Sequence, residues 1–158
     1  MNEVESFESL VRRQQLIHLD AGVLALHVAG VRTALPLTRT LFRLMETGEV
    51  RAQTSALSLY QLLMESYRRG EESTADRIEQ LIGAVPGLGV VPIDGRVARQ
   101  AAQVRARIGG RIERSVQLAS ALSGGADLFL TRHSSLRRIA GMSIESLDAF
   151  AAGPTRSG

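Results

Sequence analysis

Short apolar runs alternate along the chain with longer segments whose apolar residues recur at helical spacing. The first apolar run is LIHL (Leu16 to Leu19), and it stops at Asp20. A strand or a strand-to-helix junction is also predicted at SIESL, near Ser143. Three further runs predict strands: VRAQT (50–54), LGVVPI (88–93), which we interpret as buried, and DLFLT (127–131).

The segments between these runs predict amphipathic helices. Residues 56–69 carry three leucines and Tyr67 at helical spacing, a pattern typical of a helix face that turns toward a core. Ser55 precedes this segment, and its short polar side chain is a favoured N-cap. The other predicted helices cover residues 21–30, 35–46, 71–85, 97–108 and 113–123.

Strands separated by helices indicate parallel pairing, because two parallel strands need a crossover connection between them. The sequence therefore predicts an α/β fold with three layers, α/β/α, around a mostly parallel central sheet. Functional residues of such sheets gather at the carboxyl ends of the strands. That rule selects Asp20 after the strand LIHL, and Arg132 and His133 after the strand DLFLT.

Composition excludes several classes of protein. The chain has 158 residues, which suits one domain, and no apolar run approaches the roughly 18 residues of a membrane span. The acidic start MNEVESFESL differs from a signal peptide, so we expect a soluble protein in the cytoplasm. Cysteine is absent, which excludes disulfides, a thiolate nucleophile and cysteine metal sites.

All 19 basic side chains are arginine, and against 16 acids they give a net charge of +3. This mild excess permits RNA as a partner without arguing for it. A GC-rich genome that favours arginine codons is a better explanation for the exclusive use of arginine than phosphate binding. Aromatic residues are only 4% of the chain, which disfavours a stacking platform for single-stranded nucleic acid.

Four segments, taken in order, resemble a PIN domain of the kind found in VapC-type toxins of toxin–antitoxin modules. They are LIHLDAGVLAL, TSALSLYQLLMESYRRG, VVPIDGRVARQAAQVRARIGG and IERSVQLASALSGGADLFLTRHSSLRRIAGMSI. The most specific part is LASALSGGADLFLT followed by LRRIAGM. The resemblance runs from about Leu16 to Ile144, which gives a PIN-like domain (16–150) and an N-terminal extension without an assigned role (1–15). The sequence AAGPTRSG itself predicts a disordered tail (151–158).

The resemblance implies a ribonuclease that cuts RNA with Mg²⁺ or Mn²⁺ held by carboxylates. Such ions activate water and neutralise charge on the phosphate, and they prefer oxygen ligands. The family's four acidic positions fall here on Asp20, Gln61, Arg114 and His133, so one acid of four is kept. These are the candidate catalytic positions, and Asp20 is the candidate metal ligand.

The three replacements change the charge of the implied metal site. With His133 neutral, the four side chains carry no net charge. At an effective dielectric of about 20, a unit charge roughly 4 Å away is worth about 4 kcal/mol, so Arg114 would repel a metal ion. We therefore expect no cofactor, or Mg²⁺ or Mn²⁺ if the chain is active. We also expect Asp20 and Arg114 to form a partly buried ion pair.

Two functions compete, and a structural remnant without a ligand is a third interpretation. In the first, the domain is catalytically inactive and acts by binding protein or RNA. In the second, it is a metal-dependent ribonuclease with a displaced site built from Asp20, His133 and either Glu113 or Glu65. We expect Glu65 and Glu113 to be solvated or salt-bridged at the surface, and Asp127 to have a turn or capping role, which favours the first function.

The resemblance also implies a homodimer, with an antitoxin-like protein or RNA as further partners. Apolar residues of the second helix could supply the dimer face, although core packing is at least as good an interpretation; they are Leu41, Phe42 and Leu44.

The histidines and arginines allow a further hypothesis. We expect His18 to be a core histidine bonded to backbone, and His27 to lie at the surface or between helices. His133 has the best position for a metal ligand or general base. Together with Arg114 and Arg132, it could form a phosphate cradle.

Overall fold

One sheet of six strands crosses the centre of the molecule, which is a computed structural model described for residues 1–151. The strands are β1 (Ile17–Leu19), β2 (Ala52–Ser55), β3 (Leu88–Val91), β4 (Leu128–Thr131), β5 (Arg138–Ile139) and β6 (Met142–Ser146). Their order is β3-β2-β1-β4-β6-β5. All neighbouring pairs are parallel except β5 and β6, so the predicted mostly parallel sheet is confirmed.

Helices cover both faces of this sheet, as the predicted three-layer α/β fold requires. In chain order they are α1 (Glu3–Arg12), α2 (Ala21–Ala29), α3 (Leu35–Glu46), α4 (Ala56–Arg68), α5 (Glu72–Ala84), α6 (Gly95–Ile108), α7 (Ile112–Ser123) and α8 (Asp148–Ala151). Alternate residues of β4 point to opposite faces. Leu128 and Leu130 join the core that contains residues of α1 to α5, whereas Phe129 packs with residues of α6 and α7.

The N-terminal segment forms α1 and belongs to the main core. Asn2 caps this helix, and its side chain and that of Glu5 exchange hydrogen bonds with each other's backbone N–H, at 2.8 and 3.0 Å. Phe7 and Val11 are fully buried, and the Phe7 ring lies edge-on to Phe150 of α8 at 5.5 Å. Residues expected to be an extension without a role therefore complete the packing of the α3 side of the sheet.

Two predicted buried surfaces are wrong. β3 is an edge strand, and its Val90 is 40% exposed, because the sheet continues only on the β2 side. Tyr67 is 55% exposed, whereas the small side chains of Ser58 and Ser66 take the buried positions of α4. α4 packs closely against α2 and α7, so small side chains such as Ser58 and Ser66 fit on its buried face.

The apolar residues proposed as a dimer face lie in the core instead. Leu41 and Leu44 are fully buried and Phe42 is 4% exposed, since α1 packs against α3. The interpretation as core packing is confirmed, and these side chains cannot form a dimer face in this fold.

The predicted disordered tail falls almost wholly outside the described residues. Its first residue, Ala151, ends α8, and residues 152–158 are not described. Within residues 1–151, no helix combines the length and the apolar character needed to cross a membrane.

Candidate functional site

The four positions selected from the sequence line one cleft of about 730 Å³. Asp20 directly follows β1, and His133 lies two residues after β4, so both stand at the carboxyl edge of the sheet. Gln61 comes from α4 and Arg114 from the first turn of α7. The topology thus brings together residues that are far apart in sequence, at the edge where parallel sheets place their sites.

Asp20 acts as the N-cap of α2. Its Oδ1 accepts a hydrogen bond from the backbone N–H of Val23 at 3.1 Å, and its Oδ2 accepts one from the Thr131 hydroxyl at 2.5 Å. Burial raises the pKa of the Asp20 carboxyl, while the bonds from Thr131 and the backbone oppose that shift. Gly22 leaves room for this arrangement, because a Cβ there would lie 3.3 Å from Oδ1. Both carboxylate oxygens are therefore engaged within the fold.

The predicted ion pair between Asp20 and Arg114 is wrong. The ion pairs within residues 1–151 include neither side chain. Arg114 is exposed, and its guanidinium lies back over Gly110, with Nη1 3.8 Å from the position of a Cβ there. Asp20 instead accepts hydrogen bonds from the Thr131 hydroxyl and the Val23 backbone N–H. These donors avoid the entropy cost of immobilising a long arginine side chain.

Glu65 and Glu113 also line the cleft. Glu65 pairs with Arg68 at 2.7 Å and Arg69 at 2.9 Å, and the hydrogen bond from Arg68 is the main reason that the pKa of Glu65 is lowered. Glu113 is half exposed and lies 3.9 Å from Arg111. The expectation of solvated or salt-bridged acids is confirmed for both. The wall is nevertheless more acidic than the four positions alone indicate, since three carboxylates and two arginines line it.

Asp127 lies outside the cleft and holds the entry to β1. Its carboxylate accepts hydrogen bonds from the backbone N–H groups of Gln15 and Leu16, at 2.9 and 2.8 Å. These partners are 112 and 111 residues away in sequence, so the predicted turn or capping role is wrong: Asp127 joins the start of β4 to the segment before β1.

His18 lies in the core beneath the cleft. Its Nε2–H donates to Gln117 Oε1 at 2.9 Å, and its Nδ1 accepts from Gln53 Nε2 at 3.3 Å. The ring stacks on Phe129 at 5.3 Å, and burial lowers the pKa of His18 to about 4. The prediction of a core histidine is confirmed, but its partners are two side-chain amides rather than backbone.

His27 packs between helices, as predicted. Its ring stacks on Phe42 at 3.9 Å, and its Nδ1 lies 3.0 Å from the Thr38 hydroxyl. The pKa of His27 is lowered, mainly by burial.

The proposed phosphate cradle loses one of its members. His133 is exposed and lines the cleft with Arg114, but Arg132 is absent from the cleft wall and lies 3.9 Å from Asp148. Arg111 takes its place at the wall. Arg111 was not predicted from the sequence, although the preceding Gly109-Gly110 break marks the start of α7 and hence the residues near its first turn.

Gln117 is a second residue that the sequence analysis missed. It is 5% exposed, lines the cleft and donates from Nε2 to the Ser58 hydroxyl at 2.8 Å. Its only signal in the sequence is a polar residue inside the apolar stretch SVQLASAL.

The donor set does not fit a Mg²⁺ or Mn²⁺ ion. Hard divalent ions prefer several carboxylate or carbonyl oxygens, whereas the four positions supply one carboxylate, an amide, a guanidinium and an imidazole. No group of three or more His, Asp or Glu side chains within residues 1–151 is arranged to hold a metal.

Comparison with known proteins supports the fold. No family model matches the sequence, and no curated protein matches it significantly. Among solved structures, a chain of VapBC2 from Rickettsia felis bound to a promoter DNA fragment has a TM-score of 0.68 at 10% identity, over 84% of this chain and 98% of that one. A toxin–antitoxin complex from Klebsiella pneumoniae gives 0.62 at 13% identity, over 83% and 97%.

A third similar structure is DNA-bound VapBC from Salmonella typhimurium, with a TM-score of 0.61 at 20% identity over 84% of this chain and 98% of that one. In all three comparisons, almost the whole length of the other chain superposes on this three-layer fold. At identities of 20% or less the likeness is one of fold: this chain has the VapC-like PIN-domain fold that its sequence predicts.

Proposed function

We propose that this chain is a cytoplasmic, catalytically inactive PIN-like domain that acts by binding rather than by metal-dependent cleavage of RNA. The PIN-like domain is residues 16–150, and residues 1–15 extend it at the N-terminus with a helix that packs into its core. The proposal rests on one observation. At the edge of the sheet where four acids would hold a metal, Asp20 is the single carboxylate left, and its oxygens bond Thr131 and Val23.

Charge strengthens this argument. Arg114 lines the same cleft as Asp20 and has no acidic partner within residues 1–151. A guanidinium at a family position for a carboxylate reverses the sign of an interaction worth about 4 kcal/mol at roughly 4 Å. A metal ion in this cleft would therefore meet one carboxylate at the four family positions and the positive charge of Arg114.

A ribonuclease with a displaced metal site is the alternative. The observation in its favour is that Glu65, Glu113 and His133 line the same cleft as Asp20. Against it, Glu65 is held by Arg68 and Arg69 at the end of α4, and Glu113 is half exposed at the rim. Binding by an inactive domain is therefore better supported than RNA cleavage at a displaced metal site.

The partner in this proposal is a protein: an antitoxin-like protein, as the VapBC neighbours suggest, or a second copy in a homodimer. Both tyrosines of the chain, Tyr60 and Tyr67, lie with Met64 on one exposed face of α4, beside the cleft wall. Exposed aromatic and methionine side chains are typical of protein interfaces. RNA is a less favoured partner, because carboxylates line the cleft and few aromatic residues are present.

Titration with Mn²⁺ tests the proposal. Metal-free wild-type protein is compared with a variant that restores three acids, Gln61→Glu, Arg114→Asp and His133→Asp, and with Asp20→Asn. We expect saturable Mn²⁺ binding in the restored variant and none in the wild type. Stoichiometric binding by the wild type that is lost in Asp20→Asn would contradict the proposal and direct attention to RNA cleavage.

A further inference from the structure

We propose that the cleft binds a ligand with one carboxylate group on an apolar body, and that Arg114 holds the carboxylate. This inference rests on the proposed function, because it treats the cleft as a binding site that holds no metal. A volume of about 730 Å³ lies within the usual range of pockets for small ligands, roughly 300–1,000 Å³.

The basic groups of the wall are available to a ligand. Arg114 and His133 form no ion pair or side-chain hydrogen bond within residues 1–151, and both are exposed on the cleft wall. Arg111 is 87% exposed and only 3.9 Å from Glu113, a loose contact. A guanidinium presents a planar fork of N–H donors that matches the two oxygens of a carboxylate.

The carboxylates of the wall do not compete equally for Arg114. Asp20 is engaged by Thr131 and the start of α2, and Glu65 is held by Arg68 and Arg69. Glu113 is the one acid of the wall whose charge is only loosely compensated. An incoming carboxylate therefore meets an open arginine rather than one already neutralised.

Apolar side chains at the floor of the cleft are the reason for proposing a ligand with an apolar body. Leu62, Leu118, Phe129 and Ile144 line it, and each is less than a tenth exposed. An apolar ligand that reaches these side chains removes its own apolar surface from water, which gains about 25 cal/mol per Å² of that surface. A charged rim above an apolar floor thus suits an amphipathic ligand.

A single negative charge fits this cleft better than a phosphate chain. Glu65 and Glu113 stand on the same wall as Arg114, so each further negative charge on the ligand would meet repulsion. One carboxylate can bind Arg114 at the rim while the rest of the ligand stays neutral.

The experiment measures binding of a matched set of probes to the full chain by NMR shift titration in metal-free buffer. Phenylbutyrate has the charge and the apolar body, phenylbutyramide has the body alone, acetate has the charge alone, and inorganic phosphate is a competing anion. We expect phenylbutyrate to bind at least about tenfold more tightly than each of the other three.

Variants identify the residue that holds the charge. Arg114→Gln should weaken phenylbutyrate binding about tenfold, and Arg114→Lys, which keeps the charge without the fork, should weaken it less. Arg99→Gln is the matched control, because it removes one exposed arginine of α6 outside the cleft wall and should leave binding unchanged. Equal binding of the acid and its amide, tighter binding of phosphate, or no effect of Arg114→Gln would overturn the inference.

The same assay identifies the source of the carboxylate. An amphipathic peptide of about ten residues with one central glutamate is compared with its glutamine twin. Tighter binding of the glutamate peptide than of phenylbutyrate assigns the carboxylate to a protein partner, and weaker binding assigns it to a small acid; both support the inference if they depend on Arg114. Absence of carboxylate binding overturns it alone, since Mn²⁺ titration decides the proposed function independently.

Discussion

Acid should destabilise this protein through one buried imidazole, that of His18. The ring is fully buried, and its two nitrogens lie against Gln117 and Gln53 at 2.9 and 3.3 Å. Gln53 donates to Nδ1, so a second proton on the ring would place two donors against each other. Protonation would also place a positive charge in the core, where burial disfavours the charged form.

The magnitude follows from the pKa values of the two states. Burial lowers the pKa of His18 from 6.5 to about 4 in the folded protein. Between these values the unfolded chain binds a proton that the folded protein does not, so the free energy of unfolding falls as the pH falls from 6.5 to 4. At 1.36 kcal/mol for each pKa unit, the loss is about 3 kcal/mol, and the contribution is fully present above pH 6.5.

Urea denaturation at several pH values between 7.5 and 4 would measure this loss. The control is His18→Gln, which has no titrating group at this position, and the comparison uses the difference in unfolding free energy between the two proteins at each pH. That difference removes the effects of His27, whose pKa is also lowered, and of Asp20, whose raised pKa acts in the opposite direction. A difference that stays constant within about 0.5 kcal/mol across the range would refute the reasoning.

Two further predictions concern single side chains. Asp20→Ala should lower the free energy of unfolding by about 1 kcal/mol, because it removes the N-cap of α2, and Asp94→Ala should do the same at the N-cap of α6. Arg114→Gln should change the free energy of unfolding by less than about 0.5 kcal/mol. If urea denaturation instead shows a loss of about 3–5 kcal/mol for Arg114→Gln, Arg114 forms a buried ion pair after all. Phe7→Ala should cost about 3–5 kcal/mol and Phe7→Leu clearly less, and calorimetric melting that does not change in Phe7→Ala would mean that α1 does not contribute to the core.

The sheet could be predicted because its strands are short apolar runs between amphipathic segments. LIHL and DLFLT differ clearly in pattern from the helices around them, so the parallel arrangement and the place of Asp20 followed. β3 shows the limit of this reasoning. The run LGVVPI has the same composition at an edge as in the centre of a sheet, and only the position of its neighbours decides its exposure.

The N-terminal helix carried a signal that the sequence analysis did not use. Val4, Phe7 and Val11 recur at helical spacing in a segment that is otherwise acidic and polar, and they form the face that packs into the core. The acidic residues dominated the interpretation, although they are compatible with an amphipathic helix: Glu5 is exposed, and Glu8 pairs with Arg12 and with Arg43 of α3 beside the packed face.

Hydrogen-bond partners within the site could not be predicted. Thr131 lies 111 residues from Asp20, and Gln117 lies 99 residues from His18, so each pairing depends on the register of strands and helices. Residue type alone suggested an arginine for Asp20 and backbone for His18. The fold supplied nearer donors in both cases.

Helix α7 is clamped against rotation. Gln117 bonds both His18 and Ser58, and Ser120 bonds Ser55 at 2.9 Å, all in the interior. Turning the helix by one residue to exchange the places of Glu113 and Arg114 would break all three contacts, and each buried polar group left unpaired costs about 1–3 kcal/mol. Rotation of α7 therefore cannot bring Glu113 to the place of Arg114, and only a substitution at position 114 can put an acid there.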